Sequence, residues 1–255
     1  MMGLVRALVS RRWWWVTLLV IGVMLLLARL GFWQLARLGE RRAENVQMAA
    51  VLASEVLDVN TATATLFSAG VLPSDLSALE SRRAIASGEL DFDNQIILKV
   101  QNWQSRAGVH LITPLLLDDE TAVLVDRGWI PDADNTTENL RKYDLPNPQT
   151  IEGYVAMSQT LSGDRGVIPE EAQAEWYRVD IEAIEPQMPY SLMPIYLLQA
   201  AEGNEVLPYR ENPEIDLSEG NHLSYALQWF IFSIGLGIGY LAFVYTQEKK
   251  AHAKD

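Results

Sequence analysis

Two long uncharged apolar stretches, one near each end of the chain, limit what this sequence can fold into more than any other feature. Trp13 to Leu27 carries no charge, the run reaches Trp33 if Arg29 is tolerated, and Leu223 to Gln247 carries none at all. An α-helix rises about 1.5 Å per residue and the hydrocarbon core of a bilayer is about 30 Å thick, so about 20 apolar residues cross it. Both stretches are long enough. The pattern predicts transmembrane helices over residues 13–33 and 222–246. It leaves a cytoplasmic N-terminus over 1–12, an extracytoplasmic α+β domain over 34–221 and a cytoplasmic tail over 247–255. The middle is long enough for one hydrophobic core and short for two.

Lysine and arginine near the span ends set the orientation. Asp216 and Glu219 precede the second stretch and Lys249, Lys250 and Lys254 follow it, which predicts a cytoplasmic C-terminus. The first stretch is ambiguous alone, with Arg6, Arg11 and Arg12 before it and Arg37, Arg41 and Arg42 after it. Two spans then place the N-terminus on the same side as the C-terminus. Trp13, Trp14 and Trp15 fit an inner aromatic belt and Trp33 an outer one, about 30 Å away at helical rise. Arg29 is near enough to Trp33 to extend to the headgroups. A cleaved signal peptide would share the basic start, but Leu25 to Leu30 offers no small-x-small cleavage site, and three adjacent tryptophans do not suit such a segment.

The chain has no cysteine, which excludes disulfides, thiolate metal sites and thiol nucleophiles. Its net charge of −13 divides unevenly: residues 1–42 carry +6 and residues 246–255 carry +1, leaving −20 between them. Such a surface repels nucleic acid and favours a basic protein partner.

Within the middle, Leu35 to Val59 has helical spacing, and Thr61 to Pro73, with Gly70, reads as a connection. Strands are expected at Arg83–Leu90, Gln95–Val100, Val109–Leu117, Ala122–Val125, Thr150–Ala156 and Ile195–Ala200. Asp126 to Pro131 closes a strand, since Gly128 permits unusual backbone angles and Pro131 ends pairing. Glu170–Trp176 and Ile181–Met188 read as short helices or turns, and Gly203 to Gly220 as a loop returning the chain to the membrane. Strands separated by turns, with helices before and after them, predict an antiparallel β-rich domain flanked by the two spans.

No phosphate loop, dinucleotide fingerprint or paired histidine at metal spacing occurs. Lys99 and Lys142 are the only lysines of the middle, and no positioned serine motif accompanies them, which argues against a Ser–Lys peptidase. Of the three histidines, His252 lies in the basic tail and His110 in a strand, where an ordinary hydrogen-bonded side chain is expected. His222 opens the second span behind Asn221, a suitable N-cap. His222, Ala226, Trp229 and Ser233 share a helical face with Tyr225 beside it, while Gly235 and Gly239 lie on another face that would seat the first helix. Two readings of His222 stay open: a polar cap residue hydrogen-bonded to the loop, or an axial ligand of a haem iron backed by aromatic rings. Trp33 and Gln34 reach the same surface, where they either anchor the helix or line a site with His222. Arg37 either anchors the helix too or pairs with a propionate.

Three motifs now stand in order along the chain: Gly31-Phe32-Trp33-Gln34-Leu35-Ala36-Arg37, Asp126-Arg127-Gly128-Trp129-Ile130-Pro131, and Asn221 to Phe230. Together they resemble the signatures of the surfeit-locus cytochrome c oxidase assembly factors. That resemblance implies a non-catalytic integral membrane protein of the bacterial plasma membrane, the one expected here, or of the mitochondrial inner membrane. Its expected role is to assist haem a delivery to the catalytic subunit of a haem-copper oxidase, in company with other assembly factors. It also implies His222 as the haem-binding histidine, with Arg127, Gly128 and Trp129 as a structural turn. A non-haem-binding scaffold for oxidase assembly is the alternative. Two departures are evident: residues 52–81 match no part of the pattern, and Asp126 stands where the family commonly has an uncharged polar residue.

Overall fold

The computed structural model describes residues 2–66, 76–159, 171–203 and 206–252. In chain order its elements are α1 (Met2–Leu8), α2 (Trp14–Leu52), β1 (Leu57–Asp58), α3 (Val59–Leu66), β2 (Arg83–Leu90), β3 (Ile96–Trp103) and β4 (Arg106–Leu116). Then follow β5 (Thr121–Pro131), α4 (Thr137–Leu140), β6 (Gln149–Met157), β7 (Glu175–Trp176), α5 (Ile181–Ile184), β8 (Ser191–Gln199) and α6 (His222–His252). They form two compact units, residues 49–215 and residues 1–48 with 216–255.

The middle unit is a closed ring. Strands β2, β6, β8, β5 and β4 pair in that order, and β4 returns to β2 through Glu89↔Leu116 and Leu90↔Leu115. Four of the five seams are antiparallel, as the strand pattern leads one to expect, but β5 and β8 run parallel. The reason is topological: directions cannot alternate all the way round a ring of five, so one like-directed pair is unavoidable. Strands β1, β3 and β7 extend the sheet outside the ring, and β1–β2 and β3–β7 are also parallel.

Alternation along the strands fills the ring. Ile151 and Val155 of β6 and Ala84 and Ala86 of β2 face inward, where they meet Val123, Val125 and Leu197. Strand β5 is buried on both faces, because Ala122 and Leu124 pack outward against Val179, Ile184 and Tyr196. Its unbroken Ala-Val-Leu-Val run is what such a position requires. Full burial of each Val or Leu here stabilises the fold by about 1.5–3 kcal/mol.

Several expectations need correction. Strand β5 does not end at Val125 but continues to Pro131, which still lies opposite Gly108. Gly128 keeps the strand going by adopting φ +108°. The small-residue stretch after Asn60 begins as helix α3, whose Thr61 and Thr63 hydroxyls bond back to Asp58 and Val59 carbonyls. Gly70 and Pro73 of the expected connection, and Glu170, lie outside the described residues. Strand β7 replaces the helix or turn expected at Trp176, whereas α5 is helical as expected.

In the other unit, α2 is one helix of 39 residues, so the helical pattern seen after Leu35 continues the first apolar stretch without a break. Helices α2 and α6 are both long and apolar enough to cross a membrane, and only 6% and 11% of their most apolar windows are buried. They are therefore not core helices of a globular fold. The two run antiparallel. Trp13 packs edge-on to Phe243, Thr17 bonds Tyr240 at 2.6 Å, and Ser233 Oγ donates to the Met24 carbonyl at 3.0 Å. The contacting residues Trp13, just before α2, and Thr17, Met24, Gly31 and Gln34 within it follow steps of four, three and seven, the period of a left-handed supercoil.

Gly235 and Gly239 were expected to seat α2, yet a Cβ at either would meet nothing within 4 Å. The close approaches fall at Gly31, where a Cβ would lie 2.6 Å from the Phe230 ring, and at Gly237, 2.7 Å from the end of Met24. The phase of α6 is set by Ala226 and Ser233, both buried against α2, and that phase turns Gly235 and Gly239 outward.

Candidate functional site

The first and third motifs meet in the helical unit. Gln34 is on the α2 seam and His222 is the first residue of α6, and their side chains join directly, His222 Nδ1 to Gln34 Oε1 at 2.9 Å. With the amide oxygen accepting, the proton resides on Nδ1, and the lone pair is on Nε2. Asn221 precedes the helix, and its carbonyl accepts from the Tyr225 N–H at 3.1 Å and the Ser224 hydroxyl at 2.8 Å. The first turn of α6 is thereby fixed at the point where His222 projects.

A strap from Asp216 to Glu219 holds this start against α2. Arg42 grips Glu219 with two bonds of 2.7 and 2.9 Å. Arg41 donates to the Asp216 and Ser218 carbonyls at 2.7 and 3.2 Å, and Asn45 to the Leu217 carbonyl at 2.6 Å. The Arg42 hydrogen bond keeps the Glu219 carboxyl below its ordinary range. Sequence reasoning assigned Arg41 and Arg42 only to charge balance and missed the strap. A signal existed: Gln34, Leu38, Arg41 and Asn45 continue the four-three spacing of the seam into polar residues.

The remaining residues expected at this site are arranged less tightly. Trp33 is 51% exposed and Tyr225 48%. Arg37 lies 5.9 Å from the Trp33 ring centroid and pairs with Glu40 at 2.8 Å, on the exposed side of α2. Its counter-ion in this structure is thus a neighbouring glutamate. Trp229 is half-buried and meets Phe232 edge-on at 6.3 Å. Gln34 and His222 are brought into contact, Trp33 and Arg37 stack with each other, and Tyr225 and Trp229 follow one and two turns along α6.

The second motif lies in the ring. Asp126 accepts from the Gly128 N–H at 2.9 Å, and its carboxylate lies 2.8 Å from His110 Nδ1, so His110 has the hydrogen-bonded setting expected of it. Arg127 points into the end of the ring and is fully buried. It donates to Gln95 at 3.2 Å and to the Tyr143 carbonyl, and its guanidinium lies 5.1 Å from the Phe92 centroid. Burial, together with the neighbouring Arg210 charge, pushes its pKa down to about 10, which still leaves it protonated at neutral pH.

Trp129 forms a two-bond bridge with Tyr209, 2.8 Å in each direction. Their rings stack with planes 2° apart, and Trp103 stacks on Tyr209 at 5.3 Å. A Cβ on Gly128 would strike the Tyr209 carbonyl, so the chain can pass here only as glycine.

Among the described residues, neither lysine of the middle meets a serine. Lys99 pairs with Glu175 at 2.9 Å and lies over Tyr177, and Lys142 faces Asp134 at 4.0 Å. The Glu175 hydrogen bond raises the Lys99 pKa, the opposite of what a general base needs.

Comparison with known proteins agrees with the three motifs. A family model described as the SURF1 family matches residues 21–234. A SURF1-like protein of Rickettsia felis is 24% identical, with the alignment covering 89% of this chain and 95% of the relative. A SURF1-like protein of Rickettsia bellii is 23% identical over 88% of each, and one of Dictyostelium discoideum is 20% identical over 67% of this chain and 74% of the relative. The match begins inside α2 and ends inside α6, so it takes in the Gln34–His222 contact and the whole ring, and on that ground the chain belongs to the SURF1 family, known generally as oxidase assembly factors.

Proposed function

We propose that this protein is a two-span, non-catalytic assembly factor of the bacterial plasma membrane that assists delivery of haem a to the catalytic subunit of a haem-copper cytochrome c oxidase. The observation that carries the reading is the bond between His222 Nδ1 and Gln34 Oε1. Iron-ligating histidines characteristically donate their second ring N–H to a carbonyl or carboxylate, which fixes the ring and the tautomer. The donor set fits a haem: an imidazole nitrogen left for the iron, exposed aromatic faces at Trp33 and Tyr225, and a guanidinium at Arg37 for a propionate once Glu40 is displaced. When bound, the haem supplies only its iron as an acceptor for the ligand. The protein residues bind and orient it, and Tyr225 and Trp229 shield its apolar edge.

In this reading both termini are cytoplasmic, α2 and α6 lie in lipid, and the ring unit is extracytoplasmic, where its acidic surface meets the oxidase subunit and other assembly factors. Nucleic acid has no part in it. The exposed leucines and phenylalanines of both helices support the lipid placement, since each would cost about 1.5–3 kcal/mol in water. A reporter fused after Asp255 and found outside the cell would refute the topology.

The haem assignment is tested by purifying wild-type protein and His222→Ala from cells that make haem a and comparing absorption spectra. A bound-haem spectrum in the wild type, lost or shifted in His222→Ala, is expected. Identical spectra would remove His222 as the ligand. Co-purification with oxidase subunits with no haem absorbance would favour the scaffold reading instead.

A further inference from the structure

Residues 49–215 hold ten lysines and arginines against 27 acids, so carboxylates far outnumber cations there. At one end of the ring that balance reverses. A cavity of about 290 Å³, between the segments around Tyr143 and Pro208, is walled by Arg127, Lys142 and Arg210, with Glu202 the sole acid among its described lining residues.

Arg127 is the unusual member. It is fully buried, its hydrogen-bond partners are the neutral Gln95, Thr113 and Tyr143 carbonyl, and no carboxylate lies within 4 Å of it among the described residues. Its Nε–H has no acceptor among the described residues. A buried guanidinium ordinarily has a carboxylate partner or a full set of acceptors, because an uncompensated charge away from water is costly. The two other cations are held at the cavity wall by modest pairings: Arg210 donates Nε to the Arg127 carbonyl at 3.1 Å and meets the largely exposed Glu202 at 3.3 Å, and Lys142 faces Asp134 at 4.0 Å. Asp144 acts on Arg127 only from beyond ion-pair distance, so two guanidinium groups and an ammonium converge where Glu202 is the one carboxylate in the described lining, a setting that suits an oxyanion, which a guanidinium recognises with paired hydrogen bonds.

We propose that this cavity binds a small oxyanion, a carboxylate or phosphate group, with Arg210 and Lys142 as its direct ligands and Arg127 as the buried charge behind them. The site belongs to the ring alone and is independent of the haem assignment.

The test uses the full chain in uncharged detergent at constant ionic strength, with thermal unfolding followed against inorganic phosphate, succinate and, as control, chloride. A parallel arm places the protein in nanodiscs of phosphatidylcholine with or without phosphatidylglycerol. A saturable rise in Tm, on the order of 5 °C at a hundredfold excess over the dissociation constant, is expected with phosphate or succinate. Anionic nanodiscs protecting in place of the soluble anions would identify the source as a lipid headgroup. Arg210→Gln and Lys142→Gln should each reduce the rise by more than half. These variants are preferred to Arg127→Gln, whose loss would disturb the fold itself. An equal rise with chloride, a rise unchanged in both variants, or no protection by phosphate, succinate or the anionic nanodiscs would overturn the proposal.

Discussion

Gly128→Ala isolates the energetic role of the turn within β5. Two costs arise at once. The backbone there has φ +108°, a conformation that side-chain-bearing residues avoid at about 1–3 kcal/mol. The new methyl group would also land on the Tyr209 carbonyl, which is the acceptor of the Trp129 N–H. Backbone cannot rotate away as a side chain can, so relief requires parting the Trp129–Tyr209 bridge. Its two hydrogen bonds contribute about 0.5–1.5 kcal/mol each, or about 1–3 kcal/mol together. The substitution should therefore destabilise the ring by about 2–6 kcal/mol, the upper end applying if the bridge opens fully. Equilibrium urea unfolding of the full chain in detergent, followed by near-ultraviolet circular dichroism, reads both the stability and the stacked Trp103, Tyr209 and Trp129 rings. Adding Tyr209→Ala should cost less in the Gly128→Ala background than in the wild type, because both changes act on one bridge. A Gly128→Ala protein within about 1 kcal/mol of wild type, with its aromatic signal intact, would refute the reasoning, since neither cost could then be real.

Two further predictions concern separate parts of the chain. Burial alone would raise the Asp91 carboxyl, but hydrogen bonds from the Asn94 amide, the Tyr190 hydroxyl and two backbone N–H groups outweigh it and hold the pKa below its usual value. A depressed folded-state pKa means that this stabilisation is complete above about pH 4 and fades as pH falls through the folded value, so Asp91→Asn should flatten stability against pH on the acid side and lower stability at pH 7 by an amount that solvent screening keeps small. An acid limb identical to wild type would exclude Asp91 as its source. Gln34→Leu removes the acceptor of His222 Nδ1 and, on the proposed haem reading, should weaken haem binding by about 10–100-fold in a titration of the purified protein, whereas unchanged affinity would disconnect Gln34 from the site.

What was legible in the sequence was what local pattern controls. The terminal helices follow from uninterrupted apolar runs, and six strands lie within a few residues of their expected places because alternation reports one buried face. Strand β5 was cut short for a physical reason: Gly128 and Pro131 are ordinarily stop signals, and only the crossing Tyr209 segment makes them compatible with continued pairing. The parallel β5–β8 seam could not be read because ring closure is a property of strand number, not of any one strand. Gly235 and Gly239 have the right spacing for a helix contact but the wrong phase, and phase is fixed by the partner helix. The strap likewise joins residues about 170 positions apart, with Arg42 and Glu219 giving no sign of each other in their local surroundings. The Gln34–His222 neighbourhood was inferable because two helices returning to one surface leave few alternatives. Arg127 at the ring end was visible only as part of a turn.

Strand β8 is the wedge that completes the ring, inserted between β6 and β5 although it is the last of the five to be synthesised. Until Gln199 has left the ribosome, β5 and β6 each present a row of backbone donors and acceptors with nothing beside them, and β5 is apolar on both faces. Open edges of that kind recruit other chains. Premature termination upstream of residue 191 thus leaves a sticky half-sheet, a hazard that the acidic surface, through mutual repulsion of nascent copies, is well suited to restrain.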